Sequence, residues 1–411
     1  MSPTTSVVLV GLTLLPIAFA GTATLLASHF NGAIFTLSLN TQGSNGTGTL
    51  AITSASGGCG STPTWLTYYS DTKKVYCMDE SWQGYGTMAE YNVSADGTLT
   101  VTGQAKTTGN DVHGTLYGGP AGRSYIATVQ YSPSTLTTYA LPLKAGPDPP
   151  FTTPLQLVKF TIPAPGPNER QDVPHPHEAL LDPTGKFLLV PDLGADAIHI
   201  FAIDAVTGNL TACPDAKTAP GDGPRHGEWW SPKGNTTSSA GLKLYTVNEL
   251  GNSVSSWTVS YGACLTLNRT QTISTFAGGN IPPSTTFNNA SFPPKAAELR
   301  IIGNFLYAAN RNDKSFGNQT DSLAMYTIDS RTGALSWVEA TSAHAFYPRS
   351  FSVNKAGTLV AVGGQTSSSV AIIARDTVTG KLGALVAWAQ VGGQGTYTNE
   401  DGLSSVIWVE T

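Results

Sequence analysis

The sequence predicts an all-β protein, a seven-bladed β-propeller built from four-stranded antiparallel blades. Its composition is the first observation: only 12% of the residues are charged, and 44 glycines and 26 prolines are spread along the chain. Such a composition favours many short strands joined by many turns. The second observation is a turn motif that recurs along the chain, and the third is the lack of any helical periodicity of useful length.

The recurring motif is an alternating apolar run that ends in an aspartate-bearing turn and restarts at Gly-x-Leu. Its clearest copies lie at Asp204–Gly208, Asp329–Gly333 and Asp376–Gly380. Weaker copies contain Gly97 and Gly262, and degenerate copies begin near Phe35 and Tyr139. These seven units are spaced roughly 47 to 69 residues apart, a spacing typical of propeller blades.

Each of the better units also contains a hairpin ahead of this motif, with turns at Asp182–Gly185 and Asn354–Gly357. A unit therefore has about four antiparallel strands, and closing seven units into a ring covers every exposed edge. We expect one cooperative domain over residues 21–411. We expect its closure to pair Ser404–Val409 with Ala33–Leu39, and segments 227–239 and 277–294 to be surface loops.

The first twenty residues have the pattern of a secretory signal peptide. An apolar run from Val7 to Ala20 ends in Ala18-Phe19-Ala20, a small-x-small sequence that precedes a cleavage point. The alternative is a signal anchor, but about fourteen apolar residues are short of the roughly 20 that span a bilayer. The sequence thus predicts a secreted protein with no membrane partner after cleavage.

Glycosylation and cysteine patterns agree with an extracellular location. Seven Asn-x-Ser/Thr sequons are present, at Asn45, Asn92, Asn209, Asn235, Asn268, Asn289 and Asn318. The four cysteines allow three pairings. We expect Cys59–Cys77 within one repeat and Cys213–Cys264 between adjacent repeats, since an oxidising compartment favours disulfides; four buried thiols are the alternative.

The candidate site comes from polar residues that flank the strands nearest the predicted channel. The inner strands of a propeller all start at the same end of the central channel. The residues that precede these strands therefore lie around one mouth of the channel, and so do the residues that end the neighbouring strands. The first group contains His175, His177, Glu178, Arg225, His226 and Arg349; the second contains Asp192, Glu249 and Arg311.

Arginines that converge on one cavity keep their charge at any ordinary pH, so carboxylates of the protein or of a ligand must lie between them. Asp192 and Glu249 are candidates for part of that negative charge, with an anionic ligand supplying the rest. The alternative is that the arginines are structural and bridge blades through buried ion pairs. His175 and His177, which lie between prolines, are alternatively solvated turn residues.

Several other chemistries lack their sequence signatures. The spacing of histidines, cysteines and aspartates does not match a zinc site, and neither a Gly-x-Ser-x-Gly elbow nor a glycine-rich phosphate loop is present. A net charge of -5 without any Lys/Arg run argues against a nucleic-acid partner. We therefore expect acid/base chemistry without metal or cofactor on a small carboxylated substrate.

Four segments together resemble a known family. They are Gly223-Pro224-Arg225-His226, Asn248-Glu249-Leu250, Pro174-His175-Pro176-His177 and Val190-Pro191-Asp192. They are similar to segments of the seven-bladed lactonase propellers, which include bacterial-type 6-phosphogluconolactonases and fungal carboxy-cis,cis-muconate cyclases. Catalysis in the cyclases is attributed to a histidine, two arginines and a glutamate. By motif, the resemblance places these roles on His177, Arg225, Glu249 and Arg311, the last from Ala309-Asn310-Arg311, which is similar to a Ser-Asn-Arg segment of the family.

The resemblance implies a secreted lactonizing enzyme of the muconate cyclase type. A substrate carboxylate would add across an alkene while Glu249 or His177 delivers a proton. His175, Asp192, His226 and Arg349 would then bind substrate. The alternatives are a secreted lyase on uronate-containing glycans, a lactone hydrolase of the 6-phosphogluconolactonase type, and a non-catalytic propeller that binds an acidic ligand.

Overall fold

The computed structural model describes residues 21–42, 47–144, 152–234, 240–287, 290–397 and 399–410. The predicted signal segment 1–20 and the sequon asparagines Asn45, Asn235 and Asn289 lie outside these ranges. Four sequon asparagines are described and all are exposed: Asn92, Asn209, Asn268 and Asn318.

Seven four-stranded antiparallel sheets form the blades, as the sequence predicts. Blade 1 combines the last strand of the chain with the first three, namely β30 (Leu403–Val409), β1 (Thr22–His29), β2 (Ala33–Asn40) and β3 (Thr49–Ser56). Blade 2 contains β4 (Pro63–Tyr69), β5 (Lys74–Asp79), β6 (Thr87–Val93) and β7 (Leu99–Lys106). Blade 3 contains β8 (Asp111–Tyr117), β9 (Tyr125–Gln130), β10 (Thr135–Ala140) and β11 (Gln156–Lys159).

The remaining blades follow in chain order. Blade 4 contains β12 (Leu180–Leu181), β13 (Phe187–Asp192), β14 (Ala197–Ile203) and β15 (Leu210–Lys217). Blade 5 contains β16 (Pro224–Trp230), β17 (Lys243–Asn248), β18 (Ser253–Ser260) and β19 (Thr266–Ser274). Blade 6 contains β22 (Lys295–Ile302), β23 (Phe305–Arg311), β24 (Ser322–Ile328) and β25 (Leu335–Ser342). Blade 7 contains β26 (Pro348–Val353), β27 (Leu359–Gly364), β28 (Ser369–Arg375) and β29 (Leu382–Gln390).

Outside the blades, β20 (Thr285–Phe287) and β21 (Ala290–Phe292) form a small hairpin. Two single 3₁₀ turns, Glu169–Gln171 and Ala277–Gly279, are the helical segments of the described ranges. No helix in these ranges is long and apolar enough to cross a membrane. Two expected loops need correction, because Gly227–Trp230 belong to β16 and segment 277–294 contains the β20–β21 hairpin.

The ring closes through β30 and β1, which pair in antiparallel register from Thr24–Val409 to His29–Leu403. The expected partner of the last strand, Ala33–Leu39, is instead the next strand outward in the same blade. The sequence-based closure was therefore wrong by one strand. The inner strand of blade 1 thus comes from the far end of the chain.

The repeated aspartate turn joins the third strand of a blade to its outer strand. Asp204, for example, accepts hydrogen bonds from the backbone N–H groups of Val206 and Thr207, and Gly208 takes a φ of +76° that disfavours other residues. The Oη of Tyr117 in blade 3 donates to the carbonyl of Gly208 in blade 4 over 2.6 Å. Tyr245 in blade 5 makes the same bond to Gly333 in blade 6, so the motif also locks neighbouring blades.

The core consists of seven buried apolar clusters, one at each interface between neighbouring blades. Alternate residues of a strand face opposite sides of its sheet. Leu25 accordingly packs toward blade 7 and its neighbour Leu26 toward blade 2. Each blade therefore depends on both neighbours, which accounts for one closed unit rather than separable repeats.

Both expected disulfides are present. Cys59–Cys77 joins the connection between blades 1 and 2 to β5, and Cys213–Cys264 joins blade 4 to blade 5. Cys59 lies in that connection rather than on a strand, a small departure from the expected pairing of neighbouring strands.

Removing the inter-blade disulfide should destabilise the protein more than removing the other. In the chain-entropy account, closing the 51-residue loop contributes about 4 kcal/mol and the 18-residue loop about 3 kcal/mol. Urea unfolding of the Cys213→Ser/Cys264→Ser and Cys59→Ser/Cys77→Ser proteins checks this order. Equal stabilities, or four thiols that react with an alkylating agent before reduction, would contradict it.

Candidate active site

Most of the predicted site residues, with the exception of His175 and Asp192, meet at one end of the central channel, called here the mouth. Arg225 and His226 lie near the start of the inner strand β16, and Arg349 lies at the start of β26. Glu249 follows β17 and Arg311 ends β23, so both come to the same end from neighbouring strands. The strand-end argument made from the sequence thus places these side chains together.

Glu249 is the centre of the mouth. Its Oε2 lies 2.9 Å from Nε of Arg225 and 2.7 Å from Nη2 of Arg311, and its Oε1 pairs with Nη1 of Arg170. The contact with Arg225 is an ion pair without a well-directed hydrogen bond. Glu249, Arg225 and Arg311 are each at most 2% exposed, so this carboxylate binds two cations away from bulk water and a third, Arg170, that reaches solvent.

A second carboxylate extends the group outward. Glu400, in the connection between β29 and β30, pairs with Nζ of Lys295 and lies 4.0 Å from Nη1 of Arg311. It also accepts a hydrogen bond of 2.8 Å from Oη of Tyr347. The charged residues joined by these ion pairs are called the mouth cluster: Arg170, Arg225, Glu249, Lys295, Arg311 and Glu400.

The mouth cluster carries a surplus of positive charge at neutral pH. Burial alone would raise the pKa of Glu249, but Arg170, Arg311 and Arg225 hold that pKa well below its usual range. Burial lowers the pKa of Arg225 to about 10 and that of Lys295 to about 8, and both remain protonated at pH 7. Four cations facing two carboxylates leave two positive charges uncompensated.

Next to the cluster lies a chain of hydrogen bonds through two histidines. Nδ1 of His226 lies 3.1 Å from Oε1 of Glu298, and Nε2 of His226 lies 3.2 Å from Nδ1 of His177. An ionised carboxylate only accepts, so His226 donates from Nδ1 and its Nε2 accepts from His177. Arg225, which can only donate, also lies 3.5 Å from that Nε2, which agrees with this assignment.

This chain of hydrogen bonds leaves one ring nitrogen of His177 without a partner among the described residues. Its Nδ1 is used by His226, and its Nε2 makes no hydrogen bond to a residue of the described ranges. Burial, helped by Arg225 and His226, holds the pKa of His177 well below its ordinary value. Burial also lowers the pKa of His226 to about 4 despite Glu298. Both rings are therefore neutral at pH 7, and His177 presents a lone pair.

The arginines bridge blades as well as face the mouth. Nη1 of Arg225 in blade 5 donates to the carbonyl of Ala297 in blade 6 over 2.8 Å. Arg349 in blade 7 pairs with Glu80 of blade 2 at 2.6 Å. The structural and the ligand-binding interpretations of these residues therefore do not exclude each other.

His175 and Asp192 lie apart from the mouth cluster. The ring of His175 stacks on Tyr131 with 4.1 Å between centroids, and its Nε2 pairs with Asp172. Asp192 accepts from the backbone N–H of His175 and faces His199 at 3.3 Å. His175 thus supports Tyr131, which contacts Arg170, whereas Asp192 orders the loop around His175.

Sequence reasoning missed several members of the site, namely Arg170, Lys295, Glu298 and Glu400. Lys295 and Glu298 lie at the start of inner strand β22, the same place that identified Arg225 and His226 in the preceding blade. Arg170 and Glu400 lie in connections between blades and have no repeat position that would reveal them. Among the described residues, no group of three histidine, cysteine, aspartate or glutamate side chains is arranged to hold a metal ion.

Comparison with known proteins gives a consistent family. The family described as "Lactonase, 7-bladed beta-propeller" matches residues 19–398. A protein of Arthroderma benhamiae named "probable 6-phosphogluconolactonase" is 33% identical over 358 residues, which cover 85% of this chain and 82% of that protein. A 6-phosphogluconolactonase of Bacillus subtilis is 28% identical over 226 residues, 55% of this chain and 57% of that one.

Solved structures share the fold. The periplasmic gluconolactonase of Pseudomonas aeruginosa superimposes with a TM-score of 0.73, covering 95% of this chain and 99% of that structure. At 21% identity, this likeness shows the architecture alone.

Proposed function

Because the chain belongs to the lactonase family of seven-bladed β-propellers, we propose that it hydrolyses a small lactone that carries a negative charge. The observation that carries this proposal is the unpaired Nε2 of neutral His177 beside a cluster with two uncompensated positive charges. A base and a cationic surface are what ester hydrolysis of an anionic substrate requires.

Ring opening begins with attack of water on the lactone carbonyl. Nε2 of His177 accepts a proton from that water as its oxygen bonds to the carbonyl carbon. His226 and Glu298 stabilise the imidazolium that forms, since Glu298 supplies a negative charge at the end of the chain. The carbonyl oxygen becomes an oxyanion, and the guanidinium groups of Arg225 and Arg311 stabilise it where water is largely excluded.

Collapse of this intermediate completes the reaction. The bond between the carbonyl carbon and the ring oxygen breaks, and the imidazolium of His177 returns its proton to the departing alkoxide. The product is a hydroxy acid, and its new carboxyl group releases the remaining proton of the attacking water to solvent at neutral pH. Glu249 has no proton to transfer near neutral pH, so it serves to orient the three guanidinium groups.

The location we propose for this reaction is extracellular. Supporting features are the signal-like first twenty residues, four exposed sequon asparagines and two disulfides. Because phosphosugars are cytosolic, an extracellular enzyme of this kind acts on a sugar-acid or related lactone whose charge is a carboxylate. The names of the relatives therefore support the reaction class more than their phosphorylated substrate.

Lactone formation of the muconate cyclase type is the second candidate. The four cations of the mouth cluster offer contacts to several substrate carboxylates, which that reaction needs. The enzyme names found among relatives favour the hydrolase.

A panel assay distinguishes these candidates. Purified glycosylated protein is mixed with neutral aldonolactones, carboxylated lactones, 6-phosphogluconolactone and carboxymuconate. Proton release in a pH-stat reports ring opening, and loss of conjugated-alkene absorbance reports cyclisation. We expect ring opening of carboxylated lactones above the spontaneous rate, with neutral aldonolactones slower. Cyclisation without ring opening would overturn the hydrolase in favour of the second candidate.

A further inference from the structure

Glu400 is the one carboxylate of the mouth cluster that comes from a connection between blades, as Arg170 does among the cations. Arg225, Lys295 and Arg311 belong to strands β16, β22 and β23, and Glu249 follows β17 directly. Glu400 lies in the twelve-residue connection between β29 and β30 and reaches into the cluster from outside the blades. Its side chain is 35% exposed, whereas those of Lys295 and Arg311 are 12% and 2% exposed.

We propose that Glu400 occupies the subsite that binds the carboxylate of the substrate, and that the substrate displaces it. This inference rests on the proposed function for the identity of the ligand. The subsite consists of the ammonium of Lys295, the guanidinium of Arg311 and the phenol of Tyr347. A carboxylate thus already lies at the outer side of the cations, in contact with solvent and with each of these donors.

The donors of this subsite suit a carboxylate. Tyr347 donates to Oε1 of Glu400 at 2.8 Å, and Lys295 pairs with the same oxygen, while Oε2 faces Arg311. Arg311 also holds Glu249 through Nη2, so the subsite shares with the proposed oxyanion site one guanidinium, that of Arg311. A ligand carboxylate at this place would bring a lactone ring beside Arg225 and His177.

Two features make Glu400 displaceable where Glu249 is not. Glu249 is 1% exposed and bound by three arginines, so its removal would leave buried cations unpaired. Glu400 adopts a φ of +51°, a left-handed conformation that is unfavourable for a residue with a β-carbon. Exchanging Glu400 for a ligand carboxylate keeps the cations paired.

Anion binding to the Glu400→Gln protein tests the proposal without requiring catalysis. Isothermal titration at low ionic strength uses succinate and inorganic phosphate as probes. We expect Glu400→Gln to bind succinate at least tenfold more tightly than the unmodified protein, because the competing internal carboxylate is gone. Adding Lys295→Met to Glu400→Gln should abolish most of that gain.

The control is Glu339→Gln, which makes the same change of charge at an exposed pair with Lys381 outside the mouth. It should leave succinate binding unchanged. Tyr347→Phe provides a second test if Glu400→Gln folds poorly, because it weakens the hold on Glu400 while keeping the ring. This substitution also removes a hydrogen-bond donor for the ligand, so its effect on succinate binding is a balance of two changes. A carbodiimide should nevertheless label Glu400 more readily in this protein, because Glu400 is held less tightly.

Each outcome decides one point. Unchanged or weaker succinate binding by Glu400→Gln, with normal folding, overturns the displacement proposal. Tighter binding of phosphate than of succinate overturns the carboxylate assignment and indicates a phosphorylated ligand. Tighter succinate binding in a protein that opens no lactone leaves the subsite standing and overturns the proposed hydrolase. Lactone hydrolysis without any gain in succinate binding overturns only the subsite.

Discussion

Replacing His177 with asparagine is expected to lower kcat/KM for lactone hydrolysis by about 10²- to 10⁴-fold, the range for loss of a general base. The asparagine side chain can still donate to Nε2 of His226, so the chain to Glu298 keeps its first bond. What disappears is the free ring nitrogen. Melting temperature should change little, and initial rates in the pH-stat give the measurement.

Two further measurements distinguish a role of His177 as general base from a purely structural role. Glu298→Gln keeps the size of the side chain but removes the charge behind His226, so kcat should fall while KM stays near its original value. In the unmodified enzyme, the pKa of His177 lies well below 6.5, so kcat/KM should decline only as the pH falls well under that value. Full activity in the His177→Asn protein would mean that another group activates water.

Replacing Glu249 with glutamine is expected to reduce the free energy of unfolding by about 3 to 5 kcal/mol, the cost of removing one partner from a buried ion pair. Arg225 and Arg311 are almost fully buried, and glutamine leaves Arg225 without its carboxylate and Arg311 with only the more distant Glu400. Urea unfolding at pH 7 gives the difference. The same substitution at exposed Glu339 should cost less than about 1 kcal/mol, as is usual for surface pairs.

The Glu249→Gln protein should also respond to anions. Succinate can supply part of the missing negative charge, so it should raise the melting temperature of this protein more than that of the unmodified one. Unchanged stability without added anion would contradict the view that Glu249 holds the arginines together. With unchanged stability, any loss of activity in the Glu249→Gln protein would report a role of Glu249 in catalysis rather than in folding.

Local chemistry explains what the sequence could predict. The turns at Asp204, Asp329 and Asp376 depend only on an aspartate that accepts hydrogen bonds from the following N–H groups and on a glycine with positive φ. Each copy of the turn can therefore be predicted from its own few residues. The mouth positions of Arg225 and Glu249 follow from strand order. Neither inference needs contacts between distant parts of the chain.

Distant contacts explain what was missed. The partner of β30 depends on the register between the two ends of the chain, and β1 lacks the turn motif that identified the other units. Arg170 and Glu400 reach the mouth from connections whose paths depend on the finished ring. Glu298 was hidden because the preceding segment 277–294 was interpreted as a long loop, which obscured the start of β22.

The strand that closes the ring has a consequence for biosynthesis. Blades 2 to 7 can pair their strands as the ribosome extends the chain, but blade 1 lacks its inner strand until β30 has been made. Until then β1 presents unpaired backbone groups, the kind of edge that recruits other chains. Glu400 precedes β30 by only a few residues, so the side chain that occupies the subsite and the strand that closes the ring are added in the same final step of synthesis. A prematurely terminated product would therefore keep this open edge and be prone to aggregate.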